Sequence, residues 1–266
     1  MNNDWQRVLD GTDTWCVVEG DCLPILDKIP VKGVDHVITD PPYDARTHAN
    51  ARKHGSESLS EDLGIDFKPI SASVVVEPFL RVAKRWVLAF SSFEMVGDYS
   101  RLSGASWIRC GIYRRTNGAP QFTGDRPGQA GEAINIMHRK GRKVWNGGGS
   151  SAFWSCSVER TDRKHPTQKP ITLMMELVKL FSDPGDIILD PFCGSGTTGV
   201  AAVMQGRRFI GVEIDPKYAA VAHTTVADAV QKYAEEESQR AAFQAAMQAE
   251  DDSQRSTFDL FMGVKS

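Results

Sequence analysis

Short apolar runs alternate with amphipathic or polar stretches along most of the chain. Five runs rich in β-branched and other apolar residues predict buried strands, over residues 14–19, 34–39, 86–90, 187–190 and 208–213. The segments around them predict helices over residues 23–29, 70–84, 93–102, 171–181 and 197–205, and a further helix from Pro216. Residues 1–13 are polar and predict a loose lead-in. This order of elements indicates an α/β domain with a mostly parallel sheet.

The segment over residues 70–84 gives conflicting signals. Val74-Val75-Val76 favours a strand, and Pro78 would kink a helix. A crossover between parallel strands requires a helix at this place. We therefore expect a helix that either starts before Pro78 or is bent by it.

The strand over residues 34–39 ends at Asp40-Pro41-Pro42-Tyr43. The two prolines stiffen the turn, because each fixes φ and neither donates a backbone hydrogen bond. The turn presents a carboxylate, a proline carbonyl and an aromatic ring at the carboxyl end of a strand, where open α/β sheets bind ligands. The two oxygen groups can accept both N–H bonds of the exocyclic amine of adenine or cytosine and stabilise the positive charge that develops there, while Tyr43 stacks on the base. An ordinary Asp-Pro turn with a packing tyrosine is the alternative.

A second motif follows residues 187–190, where the chain continues as Pro191-Phe192-Cys193-Gly194-Ser195-Gly196-Thr197. Its glycines permit close backbone approach and positive φ. The next strand ends at Glu213, where nucleotide-binding α/β units place an acid for ribose hydroxyls. The turn lacks the lysine of phosphate-binding loops. It therefore predicts a ligand that has a nucleoside and no phosphate, and S-adenosylmethionine is such a ligand.

The chain resembles the DNA amino-methyltransferases of the permuted, or β, class, in which the catalytic motif precedes the cofactor motif. The resemblance extends from about residue 14 to about residue 226. It is carried by Gly20-Asp21-Cys22-Leu23, Asp40-Pro41-Pro42-Tyr43, His165-Pro166-Thr167-Gln168-Lys169-Pro170 and Asp190-Pro191-Phe192-Cys193-Gly194-Ser195-Gly196-Thr197. It implies a Rossmann-like fold for S-adenosylmethionine-dependent methyl transfer, with a mostly parallel twisted sheet, helices on both faces and an inserted target-recognition region.

The resemblance also implies an activity, which is site-specific methylation of a base amine in duplex DNA by base flipping. The aspartate at position 40 favours N6 of adenine, because a serine there usually marks the N4-cytosine enzymes of the family. A non-catalytic DNA-binding protein that uses the cofactor as an effector is the competing function.

The expected catalytic residues are those of the Asp40-Pro41-Pro42-Tyr43 turn. The resemblance implies the following cofactor-binding residues: Asp21, Cys22, His165, Thr167, Lys169, Asp190, Phe192, Gly194, Gly196, Thr197 and Glu213. Two of these have an alternative role. Asp21 can cap the helix that follows it, which is compatible with cofactor binding, and Lys169 can cap or neutralise instead of binding the cofactor.

Residues 101–169 are strongly basic, with 13 Arg or Lys against 4 Asp or Glu in a chain whose net charge is −3. Aromatic residues are interleaved with them, and strands are predicted over residues 106–114 and 133–139. Clustered charge of one sign indicates contact with phosphates. We expect the following residues to bind double-stranded DNA: Arg109, Arg114, Arg115, Arg139, Lys140, Arg142 and Lys143. A protein interface is the alternative.

The five cysteines, at positions 16, 22, 110, 156 and 193, have no metal-binding spacing, and no metal site is predicted. They indicate reduced core residues of a cytoplasmic protein, bacterial or phage-encoded. No apolar run is long enough to span a bilayer. Residues 44–55 predict either a flap that orders on DNA or cofactor, or a plain solvated loop.

These patterns divide the chain into a catalytic half (1–100), a target-recognition insert (101–164), a cofactor-binding half (165–227) and a tail (228–266). The tail is rich in Ala, Gln and Glu, and it predicts a surface helix to about residue 249 followed by disorder. Thr257-Phe258-Asp259-Leu260-Phe261 resembles the peptide with which bacterial replication proteins bind the sliding clamp. The alternative is that its apolar side chains fold back onto the protein or a dimer partner. Relatives in the permuted class often dimerise, which makes a homodimer a further expectation.

Overall fold

The computed structural model describes residues 4–42, 69–118, 124–125, 127–157 and 168–262, without the side chains of 245, 246 and 249–262. The strands are β1 (Trp15–Glu19), β2 (His36–Thr39), β3 (Trp86–Ser91), β4 (Trp107–Arg115), β5 (Gly131–His138), β6 (Phe153–Cys156), β7 (Ile187–Asp190) and β8 (Arg208–Glu213). The described α-helices are α1 (Asp4–Leu9), α2 (Cys22–Lys28), α3 (Ala72–Val82), α4 (Val96–Ser103), α5 (Ile171–Phe181), α6 (Thr197–Val203) and α7 (Pro216–Met262). The predicted flap at 44–55 lies outside the described residues.

All eight strands belong to one sheet, in the order β1-β8-β7-β2-β3-β5-β4-β6. In this spatial order, the five strands β1, β8, β7, β2 and β3 are parallel, each to its neighbour. Strand β5 runs antiparallel to both β3 and β4, and β6 is parallel to β4. The prediction of an α/β fold with a mostly parallel sheet is confirmed.

Each face of the sheet carries its own apolar cluster. Val37 and Val87 pack on one face with side chains of α1 to α4, whereas Ile38 and Leu88 pack on the other with side chains of α5 to α7. Successive residues alternate in this way because neighbouring side chains of a strand point to opposite faces. Helices therefore cover both faces, as the sequence predicted. Within the described residues no helix has the length and apolar character needed to cross a bilayer.

The prediction of a loose lead-in before residue 14 is wrong. Residues Asp4–Leu9 form α1, in which Trp5 and Val8 are buried. These two apolar residues are three positions apart, so they lie on the same side of a helix and anchor an otherwise polar segment to the core. Helix α3 matches one of the two predicted forms, since Pro78 lies inside it.

Part of the basic region extends the central sheet in the described part of the chain. Strands β4, β5 and β6 are the last three strands of the central sheet. The charge pattern in the sequence describes the exposed side chains of these strands. It does not show that their backbones continue the sheet. Their role in target recognition stays a prediction.

The tail also differs from its prediction, because α7 continues as one helix of 47 residues to Met262. Alanine, glutamine, glutamate and arginine are strong helix formers, so a segment too polar to pack in the core can still be helical. The predicted disorder after residue 249 is therefore wrong as far as Met262. Residues 257–261 have a helical backbone, whereas a disordered tail had been predicted for this segment.

Candidate active site

The carboxyl ends of five adjacent parallel strands meet at one edge of the sheet. Strands β8, β7 and β3 end there at Glu213, Asp190 and Ser91, and Asp21 and Asp40 follow the ends of β1 and β2. Strand β5 is antiparallel and begins at this same edge, with Ala133 paired to Ser91. The topology therefore gathers acidic residues from distant parts of the sequence at the edge where α/β sheets bind ligands.

Asp40 belongs to a partly buried group of charges at this edge. Lys169 Nζ lies 2.5 Å from Asp40 Oδ2 and 2.9 Å from Glu132 Oε2. The side chain of Lys169 is 10% exposed, against 25% for Asp40 and 15% for Glu132. The ammonium also lies 4.8 Å from the centre of the Phe90 ring, within the range of a cation–π contact. Lys169 was expected to bind the cofactor, and the structure pairs it with two carboxylates.

A second buried carboxyl, Asp190, connects the turn at Asp40 with the glycine turn. Thr39 donates its hydroxyl to Asp190 Oδ1 at 2.7 Å, and Thr198 donates its hydroxyl to Oδ2 at 2.5 Å. The backbone N–H of Phe192 also donates to Oδ1, at 3.1 Å. Burial raises the pKa of Asp190 to about 6, although all three hydrogen bonds act to lower it. The carboxyl thus joins β2, β7 and α6 directly beneath the predicted site.

The glycine turn closes on Glu213. Gly194 N–H donates to Glu213 Oε2 at 2.9 Å, and Asp215 N–H donates to Oε1 at 3.0 Å. Gly194 and Gly196 have positive φ, of 52° and 87°. A Cβ added at Gly194 would meet no atom within 4 Å, whereas one at Gly196 would lie 3.1 Å from the backbone of Ala222. The turn is thus tightly packed on its inner side and open beside Gly194. Burial also raises the pKa of Glu213.

The surroundings of this turn fit a nucleoside. Ile214 follows Glu213 directly and is 64% exposed, which places an apolar surface beside a carboxylate. Such a pair suits a ring and its ribose hydroxyls. Asp21 Oδ1 accepts the N–H of Leu23 at 2.9 Å and caps α2, so its predicted capping role is confirmed. Its cofactor role stays a prediction.

Most of the predicted site residues therefore lie together at one edge. The described members of the group are Asp21, Cys22, Asp40, Pro41, Pro42, Lys169, Asp190, Phe192, Gly194, Gly196, Thr197 and Glu213. Tyr43, His165 and Thr167 lie outside the described residues. Cys22 is buried, and burial raises the pKa of its thiol to about 12, which suits a core residue.

The predicted DNA-binding residues are divided between two opposite edges of the sheet, one at each end of its strands. Arg114 pairs with Gly131 and is exposed at the edge that holds Asp40, and Arg115 follows it there. Strand β5 then carries the chain across the sheet, so that His138 pairs with Trp86 at the opposite edge. Eight residues of extended chain span about 24 Å.

The basic run that follows β5 is therefore not brought together with Asp40. Arg139 Nη1 donates to the carbonyls of Leu80 and Arg81 at 3.0 Å each, so its guanidinium binds the last turn of α3. Lys140, Arg142 and Lys143 are exposed at the same edge as Arg139. Arg109 pairs with Ile136 and lies on this side of the middle of β4. A charge run in the sequence carries no information about the direction of its strand, so the sequence does not show at which end of the strands each residue lies. The DNA-binding role of these residues stays a prediction.

Sequence reasoning missed Glu132. One signal was available, since Glu132 is an acidic residue in a region with 13 basic ones. Only the antiparallel placement of β5, however, shows that it faces Lys169.

Comparisons with known proteins find similar sequences and a similar fold. A family model for DNA methylases of the N6/N4 type matches residues 105–224. The type II methyltransferase M.HinfI of Haemophilus influenzae is 27% identical over 240 residues, which are 77% of this chain and 66% of that enzyme. The type II methyltransferase M2.DpnII of Streptococcus pneumoniae is 29% identical over 235 residues, 77% of this chain and 87% of that enzyme. The crystal structure of the M1.HpyAVI–SAM complex superposes with a TM-score of 0.61 at 23% identity, covering 79% of this chain and 99% of that chain, and supports the fold.

Proposed function

The chain belongs to the family of DNA amino-methyltransferases, which act on N6 of adenine or N4 of cytosine, and we propose that it is a site-specific DNA methyltransferase. Its proposed reaction is transfer of a methyl group from S-adenosylmethionine to the N6 amine of adenine in duplex DNA, in the cytoplasm of a bacterium or of a cell infected by a phage.

The observation that carries this proposal is the contact between the two motifs. Thr39, the residue before Asp40, and Thr198, in the helix after the glycine turn, donate to opposite oxygens of Asp190, at 2.7 Å and 2.5 Å. A carboxylate suited to hold an amine and a turn suited to hold a nucleoside are therefore built on one buried group. Transfer between two bound molecules requires such a fixed arrangement, because the reacting atoms must be held within about 3–3.5 Å.

The donors and acceptors at the glycine turn fit S-adenosylmethionine. Glu213 would bind the ribose hydroxyls, Ile214 would cover one face of the adenine ring, and the open side of Gly194 would admit the ligand. Bound there, the cofactor supplies an electrophilic methyl group on a sulfonium. Asp21, at the end of the neighbouring strand β1, lies on the side where the adenine would be placed.

The target amine is a poor nucleophile, because its lone pair is delocalised into the base. Asp40 and the Pro41 carbonyl would accept its two N–H bonds, and this orients the lone pair and stabilises the positive charge that develops on nitrogen. The amine is inaccessible within the base stack, so the nucleotide must flip out of the duplex. Tyr43 is proposed to stack on the flipped base. The choice of adenine over cytosine rests on the aspartate at position 40.

The decisive experiment identifies the methylated base. Unmethylated duplex DNA is incubated with protein and S-adenosylmethionine, digested to nucleosides and separated by mass spectrometry. We expect N6-methyladenine from the wild type, and a rate lower by about 100-fold or more for Asp40→Ala. The affinity for the cofactor should be unchanged in this variant. Asp27→Ala removes an exposed carboxylate from α2 and serves as the matched control.

Each alternative has its own result in this assay. N4-methylcytosine without N6-methyladenine would refute the proposed base. Wild-type protein that binds the cofactor and DNA but methylates neither base would support the non-catalytic function.

Two further partners are proposed from the sequence alone. A homodimer is tested by sedimentation of the full chain across a range of concentrations. The sliding clamp is tested by polarisation with a peptide of residues 254–266, in which Leu260→Ala with Phe261→Ala should abolish binding.

A further inference from the structure

Glu132 lies at the centre of a row of alternating charges that ends at the proposed catalytic carboxylate. Asp40 Oδ2 contacts Lys169 Nζ, and the same nitrogen contacts Glu132 Oε2. On its other side Glu132 Oε1 lies 3.9 Å from Arg115 Nε. The ammonium is thus shared between two carboxylates in a site that is largely shielded from water.

The sharing has two physical consequences. A lysine held by Asp40 alone would be free to rotate with it and would cancel the charge of that carboxylate. Held also by Glu132 and by the face of Phe90, the ammonium is fixed on the body of the sheet, so that it fixes one oxygen of Asp40 as well. With Arg115 included, the row contains two carboxylates and two cations, so Glu132 offsets the ammonium that lies next to Asp40. That offset favours a positive charge on an amine nitrogen bound at Asp40.

We propose that Glu132 is a positioning residue for methyl transfer, which acts on Asp40 through Lys169. The inference rests on the proposed function, since it assigns Asp40 to the target amine. Lys169 is then the counter-ion that orients the catalytic carboxylate. Glu132 holds Lys169 in that place and restores the negative charge that the ammonium removes.

The test is a double-mutant cycle with Glu132→Gln, Lys169→Met and the combined variant, and single-turnover methylation of duplex DNA is the readout. Glu132→Gln should lower the rate constant about 10- to 100-fold, the effect expected when a hydrogen bond to a charged group is lost. In the Lys169→Met background the same change should not lower the rate constant further, because the ammonium that Glu132 positions is already absent. Glu77→Gln, on the exposed face of α3, is the matched control and should match the wild type.

The pH dependence of the rate gives a signature that a merely structural role would not produce. Asp40 faces Lys169 and Glu132, and it also interacts electrostatically with the buried Asp190 and Tyr99. Removal of the negative charge at Glu132 should move the acid limb of the pH–rate profile to lower pH. Removal of the positive charge at Lys169 should move it to higher pH. Cofactor affinity and the melting temperature should stay close to those of the wild type in Glu132→Gln.

The results separate the inference from the function on which it rests. An active wild type with a Glu132→Gln rate within twofold of it would overturn the inference and leave the function intact. So would equal losses in both backgrounds, or a loss that follows the melting temperature. A wild type that methylates no DNA would overturn both.

Discussion

Replacement of Asp190 by asparagine is expected to stabilise the fold at neutral pH. The carboxyl is buried, and burial raises its pKa from 3.8 to about 6. Between these two values the folded protein keeps a proton that the unfolded chain has released, so stability is lost as the pH rises through this range. Above it, the ionised carboxyl costs about 3 kcal/mol relative to the neutral one. Asparagine has the same shape and no charge, and its oxygen can still accept from Thr39 and Phe192. Its amide nitrogen replaces the oxygen that accepts from Thr198, so the Thr198 hydroxyl must turn and accept instead.

The measurement is urea unfolding of the wild type and Asp190→Asn at several values of pH. The gain in unfolding free energy should be below about 1 kcal/mol at pH 4 and should rise to about 3 kcal/mol at pH 8. Titrating groups that do not interact with Asp190 are present in both proteins and cancel in the difference. A gain that does not change with pH, or a loss at pH 8, would refute the reasoning.

A control of opposite sign is available at Asp186. Burial acts to raise the pKa of this carboxyl, but the hydrogen bonds from His36 and from the N–H of Asp183 outweigh it, and the pKa is lowered. A lowered pKa contributes stability at neutral pH that is lost as the pH falls through the folded value. Asp186→Asn should therefore destabilise the protein at pH 8, by an amount that declines towards acid pH.

The remaining expectations concern the glycine turn and DNA. Gly196→Ala should lower the free energy of unfolding by about 1–3 kcal/mol, because φ is 87° and the new Cβ would lie 3.1 Å from the backbone of Ala222. Gly194→Ala meets no atom within 4 Å and should cost less stability, but it should weaken cofactor binding in a calorimetric titration. Arg114→Gln should lower DNA affinity and reduce the dependence of log K on log salt by about one unit, whereas Lys140→Gln at the opposite edge should change both less; equal effects would contradict the division of the basic residues.

The cost of ionised Asp190 is consistent with a functional role for this carboxyl. A neutral residue there would make a more stable fold, and proteins keep such features where activity requires them. Asp190 accepts a hydrogen bond from Thr39 as well as from Thr198 and Phe192, and Thr39 precedes Asp40 in the chain. The stability that the buried charge removes is thus linked to the geometry of the turn that begins at Asp40, the proposed catalytic residue.

The sequence predicted the strands and the glycine turn because their signals are local. Apolar runs such as Ile187–Asp190 need only their own residues to indicate a strand, and Gly194 and Gly196 indicate a turn by themselves. The helix that contains Trp5 was not predicted, because two apolar residues in a polar stretch are too few for a periodic signal. The hydrogen bonds of Arg139 could not be predicted, because its partners are carbonyls of α3, almost sixty positions earlier in the chain.

The contacts that hold Asp40 in place are also the ones that the sequence could not give. Lys169 lies 129 positions after Asp40, and Asp190 lies 151 positions after Thr39. The contact between Thr39 and Asp190 follows from the pairing of β2 with β7, and Glu132 lies at the same edge because β5 runs antiparallel to β3. Lys169, just before α5, contacts both Asp40 and Glu132. The sheet therefore requires only that these strand ends be neighbours, whichever motif is synthesised first. A permuted order of motifs changes the connections between the strands and preserves the edge at which Asp40, Asp190 and Glu213 meet.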